Sequence, residues 1–493
     1  MRTSASDPLK IAEISGGPGY GRVGLTFCPG KYDPHAATGA WDRDLARDLD
    51  MIRDWGAAAI ITLVETQELA LLRVDRIGAE VRRRHMSWLH VPIVDVSTPS
   101  ESFERAWVSA GEGLRSILRS GFDVLVHCRG GLGRAGTIAA RLLVELGMEP
   151  GTAIAKVRKA RPGAIETLAQ EKFVLDIGPV RERIPEASAI RDRAIGSLVG
   201  LAIGDAVGTT LEFKPRDSYA PLQDMVGGGP FGLKPGEWTD DTSMALCLAD
   251  SLIETRGNFD PVDLMRRFVG WRDNGENSAN QRGCFDIGIT TTTALNRWMR
   301  DRDPYAGSAD PQTAGNGSLM RLAPVGIRFW NDKSRLADVA GRQSRTTHAA
   351  PEAVDACVVF AEILADAIAG SPRSEVLRDR VGLYSGDIKK IVSGAWRGKK
   401  RDQIRSSGYV AHSLEAAIWC VASTADFKSA ILKAANLGED ADTTAAITGQ
   451  LAGALYGTSG IPRDWLDRLA QRKRIEERAT TLYNKSTVQN INP

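Results

Sequence analysis

Along the first 180 residues, short β-branched and apolar runs alternate with segments whose apolar positions recur at helical spacing. Strands are predicted at 58–64, 88–93 and 122–127, and amphipathic helices at about 42–55, 101–120 and 137–147. Such alternation marks an α/β domain. From Ile190 onward the pattern changes to long Ala-rich helical stretches punctuated by Gly, so the second half is expected to be all-α. The change falls within 178–188, where Pro179 and Pro185 interrupt a charged stretch. A boundary near residue 185 gives two domains, 1–185 and 186–493. No short-period repeat or low-complexity tract is present in the sequence, which excludes solenoid and fibrous architectures.

Composition supports a folded chain of more than one core: 493 residues, 43% hydrophobic and 25% charged. A net charge of +2 gives no general case for nucleic acid or an anionic membrane, and the runs Arg82-Arg83-Arg84 and Lys399-Lys400-Arg401 read as solvated surface. The six cysteines are scattered without a Cys-x-x-Cys pair, which argues against a disulfide framework or zinc site and suggests a reducing, cytoplasmic setting. The N-terminus lacks an apolar stretch of signal-peptide length, and no run is expected to span a membrane.

The first candidate site is His127-Cys128-Arg129-Gly130-Gly131-Leu132-Gly133-Arg134. A Cys ends a predicted strand, glycines fill the loop, and a helix is expected from near Thr137. Strand, loop and helix in that order turn backbone N–H groups inward as an anion nest, and the helix N-terminus adds a favourable field. A phosphate fits such a nest, held by 129–134, with Arg134 beside it. The same field holds the Cys128 sulfur as thiolate, the form that attacks phosphorus. His127 is expected to order the loop, and Asp95, on a loop after a strand, is the candidate acid for the leaving oxygen.

Through these residues and the upstream His90-Val91-Pro92-Ile93-Val94-Asp95, the segment 25–175 resembles the cysteine-dependent protein phosphatases, most closely the dual-specificity, kinase-inhibitor-associated type. The resemblance implies a phosphocysteine at Cys128, phosphate gripped by Arg134, acid catalysis by Asp95, and a water positioned by Gln170. One departure stands out. Where such enzymes carry Ser or Thr after the Arg, this chain has Ala135, so hydrolysis of the intermediate is expected to be slow unless Thr137 substitutes.

The second candidate site combines Trp238-Thr239-Asp240-Asp241-Thr242 with Gly438-Glu439-Asp440-Ala441-Asp442-Thr443-Thr444. Carboxylates and hydroxyls, with no Cys or His nearby, are the ligand set that Mg²⁺ or Mn²⁺ prefers. Each cluster is expected to open a helix, the second running 445–456 as the final one. Capping alone would account for an isolated Thr-Asp-Asp, but not for both clusters together. Glu212, after Gly204-Asp205-Ala206-Val207-Gly208, is expected nearby.

These motifs, together with Gly200–Gly208, Gly315-Asn316-Gly317-Ser318-Leu319-Met320-Arg321 and Thr347-His348, resemble the ADP-ribosylglycohydrolase family over about 190–480. The resemblance implies an all-α domain holding two Mg²⁺ or Mn²⁺ ions on Thr239, Asp240, Asp241, Asp440, Asp442 and Thr443. It also implies that Glu212 acts at or near the metals, that Asn316, Gly317, Ser318 and His348 line the ADP-ribose pocket, and that Asp286 borders the ribose.

The combined expectation is a bifunctional hydrolase with an N-terminal α/β cysteine-phosphatase fold and a C-terminal all-α ADP-ribosylglycohydrolase fold. It would release ADP-ribose from a modified protein, nucleotide or metabolite by attack at C1″, and would hydrolyse a phosphate monoester. Two alternatives remain. The first domain could bind phosphoryl groups without turnover, or both domains could process one phosphorylated ADP-ribose compound.

Overall fold

The apolar run Val124-Leu125-Val126 lies in the middle strand of a five-stranded sheet. The computed structural model describes residues 1–36, 39–180, 187–255, 258–280 and 283–487. It divides into two units, Met1–Glu182 with Ala422–Ala425, and Arg183–Val421 with Asp426–Pro493. The expected boundary near residue 185 falls in 181–186, outside the described residues.

In the first unit the strands are β1 (Ala12–Ser15), β2 (Arg22–Phe27), β3 (Tyr32–Asp33), β4 (Trp41–Asp42), β5 (Ala57–Thr62), β6 (Ser87–His90) and β7 (Asp123–Cys128). The sheet order is β1-β2-β7-β5-β6, with β1 antiparallel to β2 and the remaining pairs parallel, while β3 and β4 form a separate two-stranded ribbon. A parallel strand covered on both faces reads as a continuous apolar run, as β5 and β7 do. Sequence patterning missed β2 because Gly24 dilutes it; a Cβ there would come within 2.7 Å of the Trp55 ring. The strand expected over 88–93 stops at His90, two residues before Pro92, which has no N–H for a ladder.

Helices Leu45–Trp55 and Glu101–Arg119 begin where Asp44 and Ser100 accept the N–H groups of Arg47 and Phe103. The helix expected from Thr137 instead starts at Gly133 and runs to Glu145. Its first turn therefore carries Arg134, and the loop after Cys128 is correspondingly short.

The second unit, among the described residues, contains helices and isolated bridges but no strand. Helices Ala187–Gly208 and Ala441–Tyr456 pack along their lengths. Gly196, Gly200, Gly204 and Gly208 recur every fourth residue and so share one face. A Cβ on them would meet the carbonyl oxygens of Gly453, Gly449, Ala445 and Ala441 at 2.1–2.4 Å. Backbone-to-backbone approach of this kind requires glycine. Contrary to expectation, Ala189–Leu211 is long and apolar enough to cross a membrane, with a mean hydropathy of 1.5, but its apolar window is wholly buried, as in a core helix. Ala441–Tyr456 is not the last helix, since Arg463–Arg468 and Arg472–Thr487 follow it.

Candidate active sites

Cys128 ends β7 with Phe27 of β2 beside it, 3% exposed. The loop then turns through Gly131, at φ +73°, where a Cβ would strike the Thr26–Phe27 backbone at 2.5–2.6 Å. In that conformation the Gly131 N–H donates to Cys128 Sγ at 3.2 Å, placing a backbone dipole on the sulfur.

Arg134 is 2% exposed and points across the loop. It donates from Nη1 and Nη2 to the two Glu68 carboxylate oxygens, at 2.6 and 3.0 Å, and from Nη1 to the Ile93 carbonyl at 3.0 Å. Its Nη2 also lies 2.9 Å from Asp95 Oδ1, whose side chain is 58% exposed. The candidate acid and the arginine expected to grip phosphate are thus in contact. Glu68, in the helix Thr66–Leu71, was missed by sequence reasoning; one glutamate on a short helix carries no signal of what it faces.

Arg129 differs from the rest of the loop because its side chain turns out to Asp33, Nε to Oδ2 at 3.1 Å. Gly130 offers open space, and the Leu132 carbonyl accepts from Gly136 and Ile165. His127 is fully buried and its Nε2 meets Thr62 Oγ1 at 2.8 Å. Burial pushes its pKa down to about 3, so it orders the strand as a neutral ring. Gln170 lies over Gly133, accepts from the Glu166 N–H at 3.0 Å and donates to the Ser97 carbonyl at 3.2 Å. The Thr137 hydroxyl donates to the Gly133 carbonyl in its own helix at 2.8 Å. The residue named as a possible substitute for the hydroxyl that Ala135 lacks is thus engaged within its own helix.

In the second unit, Thr239 is the N-cap of helix Asp240–Glu254 but makes no side-chain capping bond. The capping comes from another helix. Asp205 Oδ1 accepts the Thr239 N–H at 2.9 Å, and Oδ2 accepts the Thr242 N–H at 3.0 Å and its hydroxyl at 2.6 Å. Likewise Glu212 Oε2 accepts the N–H groups of Ala441 and Asp442, at 2.8 and 3.2 Å, at the start of Ala441–Tyr456.

With both helix ends capped from outside, the clusters' own oxygens converge. Thr239 Oγ1 lies 3.2 Å from Asp241 Oδ2 and 3.2 Å from Asp442 Oδ2, and Thr443 Oγ1 lies 3.5 Å from Asp241 Oδ2. Carboxylate oxygens of Asp205, Asp241 and Asp442 fall within 4.8 Å of one another, as do those of Glu212, Asp440 and Asp442. Burial, then the neighbouring carboxylates, raises Glu212, Asp240 and Asp241 well above the ordinary range, Asp286 to about 9, and Asp205 and Asp440 to about 7. Asp241 Oδ1 is buried without a hydrogen-bond partner. Repelling carboxylates around an orphaned oxygen fit hard divalent cations, whose charge and preference for oxygen ligands would satisfy them.

Asp205 was legible in the sequence, although not as a site residue: a carboxylate inside an apolar helix requires polar partners. Asp286, expected to border the ribose, adjoins the carboxylates, with Asp442 among the charges that raise it. Asn316 donates to Asp440 Oδ2 at 2.6 Å and to Ser413 at 2.8 Å. His348 packs against Gly315 and Gly317, where a Cβ on Gly317 would meet ring Cε1 at 2.7 Å. Its Nδ1 meets Thr347 Oγ1 at 2.9 Å, and burial lowers its pKa to about 3. The Ser318 side chain departs from expectation. It is fully buried against Ser344 Oγ at 2.8 Å, inside the core rather than facing a pocket.

A model described as ADP-ribosylglycohydrolase matches residues 186–491, and one described as Swiss Army Knife protein, DSP-PTPase phosphatase domain, matches residues 42–174. ADP-ribosylarginine hydrolase Tri1 of Serratia proteamaculans (strain 568) is 50% identical over 300 residues, 61% of this chain and 81% of that protein. ADP-ribosyl-[dinitrogen reductase] glycohydrolase of Rhodospirillum rubrum is 31% identical over 294 residues, 59% of this chain and 94% of that protein. A solved ADP-ribosylglycohydrolase-related protein complex contains a chain 40% identical with a TM-score of 0.55, covering 61% of this chain and 99% of that one. With the carboxylate cluster and the cysteine loop set on these two units, the chain belongs to the ADP-ribosylglycohydrolase family and carries a DSP-PTPase-like domain ahead of its glycohydrolase domain.

Proposed function

We propose that residues 186–493 hydrolyse the C1″ bond joining ADP-ribose to an arginine side chain, and that residues 1–185 hydrolyse a phosphate monoester. The observation that carries the first activity is the capping of two helix starts by Asp205 and Glu212. It frees Thr239, Asp240, Asp241, Asp440, Asp442 and Thr443 to hold two Mg²⁺ or Mn²⁺ ions. Bound there, such ions supply Lewis acidity toward the ribose hydroxyls and an activated water.

The chain's own residues do the rest. Asn316 fixes the Asp440 carboxylate. Glu212, held at the cluster through Oε2, supplies a proton to the leaving nitrogen. Gly315, Gly317 and His348 form a close-packed wall for the ADP-ribose moiety. The arginine linkage is supported by the 50% identity to an ADP-ribosylarginine hydrolase. Release of free ADP-ribose from an arginine-modified peptide tests it, and an untouched peptide refutes it.

For the first unit, the Cys128 thiolate attacks phosphorus while the Gly131 N–H supports the sulfur, Arg134 holds the equatorial oxygens, and Asp95 protonates the leaving oxygen. Water then cleaves the S–P bond. A second reading is favoured by one observation: Ala135 has no hydroxyl and that of Thr137 is engaged by Gly133. On that reading the domain captures phosphoryl groups without turning them over. Phosphate release over many turnovers supports the enzyme, and stoichiometric capture supports the reader.

A further inference from the structure

Phenylalanines from three segments meet at the edge of the carboxylate cluster. Phe213 follows Glu212, Phe285 precedes Asp286, and Phe231 lies in the turn closed by the mutual hydrogen bonds of Gly228 and Leu233. Ring centroids are 6.5 Å apart for Phe213 and Phe231, edge to face, and 5.5 Å apart for Phe231 and Phe285. Phe213 is 66% exposed, in contrast to the core phenylalanines. Its φ is +60°, as is that of Asp286. An aromatic residue rarely adopts this conformation, and here the Phe213 N–H is pinned by the Glu439 carbonyl at 2.8 Å, next to Asp440. A ring held outward in a strained backbone gains little from the core, and strain of this sort collects where a ligand is gripped.

We propose that this aromatic surface receives the planar guanidinium of the arginine from which ADP-ribose is removed, and so selects the leaving group. The inference rests on the arginine-linkage reading above. A guanidinium is weakly hydrated and stacks on aromatic faces. Glu212 precedes Phe213 and Asp286 follows Phe285, so the rings lie beside the carboxylate cluster at which the C1″ bond is proposed to be cut. The C1″ nitrogen must reach the carboxylate cluster while the remainder of the arginine extends outward, and the phenylalanines border that exit. A serine-linked ADP-ribose has no cation to stack and gains nothing from the rings.

The test compares wild type with Phe213→Ala, Phe213→Tyr and Phe231→Leu, using an arginine-ADP-ribosylated peptide for KM and kcat and free ADP-ribose as a competing ligand. Loss of one cation–π contact raises KM about five- to tenfold in Phe213→Ala, with kcat changed less than about twofold. Phe213→Tyr retains the wild-type KM, and Phe231→Leu, which keeps apolar bulk without a ring, raises it. Inhibition by ADP-ribose stays unchanged, because that ligand lacks the guanidinium. An unchanged KM in both ring-deleting variants overturns the inference. Parallel weakening of ADP-ribose inhibition also overturns it, since the rings would then stack on the adenine. If wild type leaves the arginine peptide intact, the linkage reading fails and takes this inference with it; if wild type cleaves it and the variants do so equally well, only the inference fails.

Discussion

Asp205 Oδ1 accepts both the backbone N–H and the hydroxyl of Thr239, at 2.9 and 2.8 Å, from a helix in a different part of the sequence. A carboxylate borrowed from helix Ala187–Gly208 therefore completes the N-terminus of Asp240–Glu254, and the residues that would otherwise cap it are left facing the cluster. The glycine face of Ala187–Gly208 brings that helix close enough for Glu212 to do the same for Ala441–Tyr456.

Asp205→Ala leaves the buried Thr239 and Thr242 N–H groups unpaired, so the helical unit loses about 2–4 kcal/mol, read in the denaturant midpoint of its transition. Divalent cations raise the melting temperature of wild type, and that rise shrinks in the variant.

Gly200→Ala tests the close helix approach. Its Cβ would meet the Gly449 carbonyl oxygen at 2.3 Å, an atom fixed within a helix. Overpacking of this kind costs about 1–3 kcal/mol. Gly288→Ala, with nothing within 4 Å of the new Cβ, stays within about 0.5 kcal/mol of wild type in the same unfolding measurement.

His127 gives the sheet unit a pH dependence with a defined sign. Its folded pKa lies at about 3, below the ordinary 6.5. The unfolded chain therefore takes up the proton first as pH falls. Stability is complete above about pH 6.5 and declines toward pH 3, by at most about 1.4 kcal/mol per pH unit. His127→Asn removes this contribution, so midpoints measured between pH 7 and pH 4.5 fall less steeply in the variant than in wild type.

Glu68→Gln leaves Arg134 without its paired carboxylate oxygens. If the first unit is a phosphatase, kcat/KM for a phosphate monoester falls about ten- to a hundredfold through the misplaced guanidinium. Cys128→Ser removes phosphate release entirely and leaves ADP-ribose release intact, whereas Asp240→Ala does the reverse. Loss of both activities from either change contradicts independent active sites.

The α/β and all-α halves were legible because their apolar periodicities differ, as in Val124-Leu125-Val126 against the Gly- and Ala-spaced run Gly196–Gly208. The cysteine loop and both acidic clusters were legible as contiguous motifs. What sequence could not show was partnership across distance. Glu68 finds Arg134 sixty-six positions away, Asp205 finds Thr239 through tertiary packing, and the inward turn of Ser318 depends on Ser344 in helix Lys333–Thr347. Helix starts shifted because glycines at 130–133 look like loop, while Gly133 in fact opens a helix.

The clusters at Asp240–Asp241 and Asp440–Asp442 are proposed above to form a metal-dependent centre for ADP-ribose release. The most direct measurement is mass-spectrometric detection of free ADP-ribose from an arginine-ADP-ribosylated peptide, comparing wild type and Asp440→Ala with Mg²⁺, Mn²⁺ or a chelator. A metal-dependent centre predicts release by wild type with either metal, and none with the chelator or from Asp440→Ala. Equal release by Asp440→Ala, or release unaffected by the chelator, would contradict it.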